Sequence, residues 1–138
     1  MGKIEVFEDL EIWQSARELS NRIFLLSKNE PFKNDFKFRN QILGSSGSVM
    51  DNIAEGFERG GNKEFNQFLS IAKGSAGETR SQLYRVLDRK YISQKEFEDL
   101  YNAYLNLSKK IGKLMTYLRQ SELKGPKYKT PTLDTNEP

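Results

Sequence analysis

The stretch from Ser93 to Leu118, SQKEFEDLYNAYLNLSKKIGKLMTYL, decides the fold. Phe97, Leu100, Tyr104, Leu107, Ile111, Leu114 and Leu118 recur three or four residues apart, which places them on one face of a helix. Tyr101, Leu105 and Met115 form a second row beside that column, so this helix carries more apolar surface than one seam requires. Ser93 with Glu96 reads as a capping box that starts it.

Upstream the same spacing returns three times. Phe65, Leu69, Ala72, Ala76, Thr79, Leu83 and Val86 make one column, with Asn62 as the expected cap. Gly60-Gly61 stops the helix before it, whose column is Phe38, Ile42, Ser46, Val49, Ile53 and Phe57. The first column is Ile12, Ala16, Leu19, Ile23 and Leu26, widened by Leu10, Trp13 and Phe24. Glu8 or Asp9 suits its positive N-terminal end, and Asn29-Glu30-Pro31 ends it. No strand-like alternation or hairpin signal stands out. The expectation is an all-α protein, an up-and-down left-handed four-helix bundle. One domain spans residues 1–123, with helices over about 8–28, 35–59, 63–90 and 94–121, and a flexible tail follows over 124–138.

The chain has 138 residues, 36% hydrophobic and 30% charged, enough for one core and short for two. There is no cysteine and no histidine. Disulfides, thiolate nucleophiles, imidazole bases, Ser-His-Asp triads and zinc sites of sulfur and imidazole are therefore excluded. No metal or other cofactor is expected. No apolar run approaches the roughly 20 residues of a membrane span. The start, Met1 to Val6, has no leader character, so the expected place is the cytoplasm. Net charge is +3, unevenly spread. From Leu107 onward Lys109, Lys110, Lys113, Arg119, Lys124, Lys127 and Lys129 face only Glu122, Asp134 and Glu137.

Two features interrupt the pattern. Gly44-Ser45-Ser46-Gly47-Ser48 and Gly74-Ser75-Ala76-Gly77 put glycines inside helices, each at about 1 kcal/mol relative to alanine. Close approach of the two helix backbones is the expected compensation, because a phosphate cradle needs free N–H groups that mid-helix glycines lack. Asn52, Glu55 and Arg59 share a side of the second helix, and Glu78 and Arg80 come to similar depth on the third. These are read as an interhelical polar network of Asn52, Glu55, Arg59 and Glu78, with Glu55 partly buried. A catalytic role is set aside, because neither an imidazole, a thiol nor a matched second carboxylate accompanies Glu55. Ser70–Lys73 and Ser121–Lys124 fit Ser-x-x-Lys by chance, in a chain without the companion motifs.

A larger set of residues resembles a known family. Phe7-Glu8-Asp9-Leu10-Glu11-Ile12-Trp13-Gln14-x-Ala16, Gln41-Ile42 and Asn52-Ile53-Ala54-Glu55-Gly56-Phe57-x-Arg59 are similar to the bacterial proteins encoded in intervening sequences of 23S rRNA genes. Lys63-Glu64-Phe65 and Phe68-Leu69-x-x-Ala72-x-Gly74-Ser75-Ala76-x-Glu78 continue the match in order, through Tyr91-Ile92 and more loosely to Leu118. The family is similar in turn to the accessory variability determinant of diversity-generating retroelements. The resemblance implies a four-helix bundle that assembles as a homopentamer and has no known enzymatic activity. It also implies a basic surface that meets nucleic acid or a reverse transcriptase. Relatives often follow the Gln-Ile pair with two arginines and, before Asn-Ile-Ala-Glu-Gly, a proline. Here Leu43 to Asp51 fill those places, so a phosphate-binding role of those arginines does not carry over.

The functional expectation is a non-enzymatic oligomer that binds RNA or a nucleic-acid-processing protein electrostatically, without membrane contact. Lys109, Lys110, Lys113 and Arg119 are the first candidate phosphate contacts, followed by Lys73, Arg80, Arg85, Arg89 and Lys90. The alternative is a protein–protein interaction scaffold that touches no nucleic acid, suggested by the second apolar row of the last helix and the side of the first that carries Trp13.

Overall fold

The computed structural model describes residues 3–121. Four helices occupy them: α1 (Glu11–Ser27), α2 (Phe36–Glu58), α3 (Asn62–Asp88) and α4 (Gln94–Ser121). No strand occurs among the described residues. Neighbours in sequence pack as neighbours in space, and α4 returns to α1, though that last seam is much the thinnest. This is the all-α four-helix bundle. The proposed tail, 124–138, lies outside the described residues, as do Lys124, Lys127 and Lys129.

The helical columns are where periodicity puts them. Every member of the α2, α3 and α4 columns is buried, and so are Ile12, Ala16, Leu19 and Ile23 of α1. Only Leu26, at the end of the α1 column, is half-buried. The helix ends differ more. A 3-10 turn, Phe7–Asp9, precedes α1, which therefore begins three residues later than Glu8 suggests. The turn seats Leu10 in the core and sets Phe7 edge-on against Trp13 at 5.1 Å, so Trp13 is covered from within the chain. Asn62 is not the cap of α3: Gly61 takes that place, and the Asn62 side chain is buried toward the Leu118 carbonyl. Asn66 makes the stronger tie across this seam, donating to the Met115 carbonyl at 3.1 Å.

The start of α4 is the expected capping box. The Ser93 N–H donates to Glu96 Oε1 at 3.0 Å and the Glu96 N–H donates to Ser93 Oγ at 3.1 Å. The end of α3 closes with two hydrogen bonds, from the Lys90 N–H to Leu87 O and from the Tyr91 N–H to Val86 O. Lys90 itself holds φ 61°, a left-handed position that suits glycine better. Gly60, at φ 91°, does the same job without strain at the end of α2.

The expected backbone approach of α2 and α3 occurs, but not at the glycines of the belts. A Cβ on Gly44, Gly47 or Gly74 would meet no atom within 4 Å. The belts touch through their hydroxyls: Ser45 Oγ lies 2.9 Å from Thr79 Oγ1, and Ser75 Oγ donates to Ser48 Oγ at 3.0 Å. Gly56 is the glycine that close packing requires. A Cβ there would fall 2.6 Å from Phe68 Cβ and 3.1 Å from the Phe65 ring.

Candidate functional site

A polar network does join α2 to α3, with a membership different from the expected one. Ser45 donates to Gln82 Oε1 at 2.5 Å, Gln82 donates to Glu78 Oε2 at 3.3 Å, and Asn52 donates to both the carbonyl and the hydroxyl of Ser48. Asn52 and Glu78 are thus at its two ends. Glu55 and Arg59 form a separate ion pair of 3.0 Å within α2, with side chains 54% and 52% exposed. Glu55 is therefore not the buried carboxylate that its neighbours Ile53 and Phe57 suggest. Two residues along a helix is about 200° around it, so Glu55 faces away from both. Arg59 also lies over the Phe68 ring at 4.8 Å.

The nine candidate cations fall into distinct settings. Lys73 and Arg119 share a groove of about 440 Å³ on the outer α3/α4 seam, with Ser70, Gly74, Gly112 and Met115. The lysine stem crosses above Gly112, its Cε 3.5 Å from where a Cβ would be, an ordinary van der Waals contact. Among the described residues no carboxylate lines this groove. Arg119 donates to Thr116 Oγ1 at 3.3 Å, and Lys109 is exposed one turn before Lys113. Lys110 points the other way and donates to Glu11 Oε2 at 2.8 Å, closing the α1/α4 seam. Arg80 lies 5.6 Å over the Tyr101 ring. Arg85 and Arg89 both lie over Phe38, at 4.6 and 4.9 Å.

The end of the bundle that carries the α1–α2 and α3–α4 connections is fastened by aromatic and ionic contacts. Phe32 stacks on Tyr91 at 4.7 Å and on Phe38 at 5.8 Å. Asp35 Oδ2 accepts from the Tyr91 hydroxyl and from Arg89 Nη1, each at 2.7 Å. The Tyr91 hydrogen bond, then the Arg89 guanidinium, hold the Asp35 carboxyl below the usual carboxylate range. The same bond raises the Tyr91 phenol. Arg39 donates from Nε to the carbonyl and the hydroxyl of Ser27, both at 3.1 Å, and so ties the end of α1 to α2.

Sequence reasoning missed two aromatic features. Tyr84, 49% exposed, joins Phe97 and Tyr101 in a cluster on the α3/α4 surface, and Tyr101 raises the Tyr84 phenol. Phe36 is 68% exposed although Phe38 is buried. The signal was available, since residues two apart in a helix face opposite ways. Among the described residues no group of three or more acidic side chains is gathered to hold a metal ion. No described helix is long and apolar enough to cross a membrane.

With this geometry in place, the comparisons are decisive for kinship. The model of the 23S rRNA-intervening sequence protein family matches residues 8–113. The chain belongs to that family. A crystal structure of a protein with unknown function from the S23 ribosomal protein family of Bacteroides thetaiotaomicron superposes with a TM-score of 0.70. It is 24% identical, and the match covers 76% of this chain and 95% of that one, a likeness of fold. No curated protein matches. Neither the family description nor the solved relative names an enzymatic activity.

Proposed function

We propose that this protein is a non-enzymatic oligomer that binds RNA, or a ribonucleoprotein partner, electrostatically. The observation that carries the reading is the α3/α4 groove, which Lys73 and Arg119 line together with no carboxylate among the described residues. A guanidinium and an ammonium held at the rim of one groove suit successive phosphates. Kinship with a family encoded in rRNA intervening sequences makes RNA the first polyanion to consider. An RNA partner also puts the work in the cytoplasm. The assembly we propose is a homopentamer, as the family resemblance implies, and repetition around a ring would multiply a weak groove by avidity.

Binding of the purified, light-scattering-sized protein to labelled RNA and to heparin, at low and physiological salt, tests this. The expected result is tighter binding to RNA and a steep loss with salt. The pair Lys73→Glu and Arg119→Glu should weaken binding and flatten the slope by about 1 per lost phosphate contact, with helicity unchanged. No RNA binding at low salt overturns the reading.

The second reading, a protein scaffold without nucleic-acid contact, draws on α1. Phe24 and Leu25 are 42% and 52% exposed, and Leu25 borders a groove of about 250 Å³ with Arg22, Leu26 and Leu100. Retention of a protein on wild-type resin, with loss on Leu25→Glu resin, would favour it.

A further inference from the structure

Phe36 is the most exposed large hydrophobic side chain among the described residues. It opens α2 between Lys33 and Lys37, both exposed. Its neighbour Asp35 is bound by Arg89 and Tyr91, so the α3–α4 connection is held against this same end. The Phe32–Tyr91 stack joins the two connections at that junction. Segments 33–37 and 85–90 together carry five cations, Lys33, Lys37, Arg85, Arg89 and Lys90, against Asp35 and Asp88. Asp35 is already occupied by Arg89.

The state of these cations matters as much as their number. Arg85 and Arg89 rest one guanidinium face on the Phe38 ring, which fixes them while leaving N–H groups at their edges. Arg85, Lys33, Lys37 and Lys90 make no ion pair among the described residues. Lys90 occupies a left-handed position where glycine would be less strained, so the chain keeps a cation at a conformational cost. An exposed ring flanked by two exposed lysines without an ion pair among the described residues matches what an unstacked base with its flanking phosphates needs. A duplex hides its base faces and would gain nothing from Phe36. An acidic peptide would use the cations and leave the flat face of the ring unused.

We propose that this end of the bundle is a binding site for single-stranded nucleic acid. One unpaired base stacks on Phe36, and the phosphates on either side meet Lys33 and Lys37, the exposed lysines that flank it in the chain. The site rests on the RNA reading given above and deepens it, because the groove at Lys73 and Arg119 supplies charge whereas Phe36 supplies discrimination between single and double strands.

The experiment is fluorescence anisotropy with a labelled oligouridine, the same strand paired to oligoadenine, and labelled polyglutamate, at low salt. The wild-type chain should prefer the single strand. Phe36→Ala should weaken oligouridine on the order of tenfold, leaving duplex affinity and salt slope unchanged. Lys33→Glu with Lys37→Glu should instead flatten the slope. Phe36 is exposed, so helicity and oligomer mass should not move, and both are measured alongside. If the wild-type chain binds no RNA, the broader reading fails and takes this one with it. If RNA binds but Phe36→Ala is silent, or polyglutamate binds more tightly, the stacking site alone is overturned. A change of oligomer mass in Phe36→Ala overturns it too, since the ring then serves contact between copies.

Discussion

The α2/α3 seam and the α1/α4 seam close the same bundle by opposite means. Between α2 and α3, short side chains bring the backbones together, and Ser45, Ser48, Ser75, Thr79 and Gln82 hydrogen-bond in one register. Between α1 and α4, the long side chains of Lys110 and Glu11 reach across at 2.8 Å, and toward the other end of that seam a groove of about 250 Å³ stays open. A short hydroxyl can bond only at one sliding position, so the first seam specifies alignment. A lysine can follow its partner over several ångströms, so the second tolerates displacement.

The sharpest way to break the first seam is Gly56→Ala. Its new methyl would meet Phe68 Cβ, which cannot swing away, and urea denaturation should show a loss of about 3 kcal/mol. Next, Ser45→Ala leaves the Gln82 carbonyl without its donor in a place where Gln82 is 3% exposed. That should remove about 2 kcal/mol. Gly44→Ala should move the other way, adding about 1 kcal/mol, since nothing lies within 4 Å of the new methyl. Opposite signs for two glycine-to-alanine changes in one helix would confirm that packing, not helix propensity, decides Gly56. Lys110→Gln tests the loose seam and should lose only about 0.5 kcal/mol, less in high salt. A loss as large as that of Ser45→Ala would erase the contrast.

Much of this was legible in the residues. The four columns follow from apolar spacing alone, because burial of a helix face leaves a period in the sequence. The Ser93–Glu96 cap was legible for a similar reason, being a local pairing three residues apart. The α2/α3 network was only half legible. Serine belts announce small side chains, but which hydroxyl meets which amide depends on the rotation of two helices about their axes. Gly56 looked like one more residue of a motif, and its role appears only when Phe65 and Phe68 are set against it. The cations of the candidate site were countable in advance, yet their grouping was not. Lys110 turns inward to Glu11, Lys73 meets Arg119 across a seam, and Arg85 with Arg89 comes to Phe38 from another helix. Such meetings are tertiary facts with no period to betray them.

Tyr104 gives the loose seam a reporter of its own. The ring is fully enclosed, its hydroxyl has no partner among the described residues, and burial pushes the phenol far above its ordinary value despite the nearby charge of Arg22 on α1. In strong alkali Tyr104 must first be reached by water before it can lose its proton. After a jump in pH, the slow phase of phenolate absorbance is therefore a stopwatch on how often the bundle breathes.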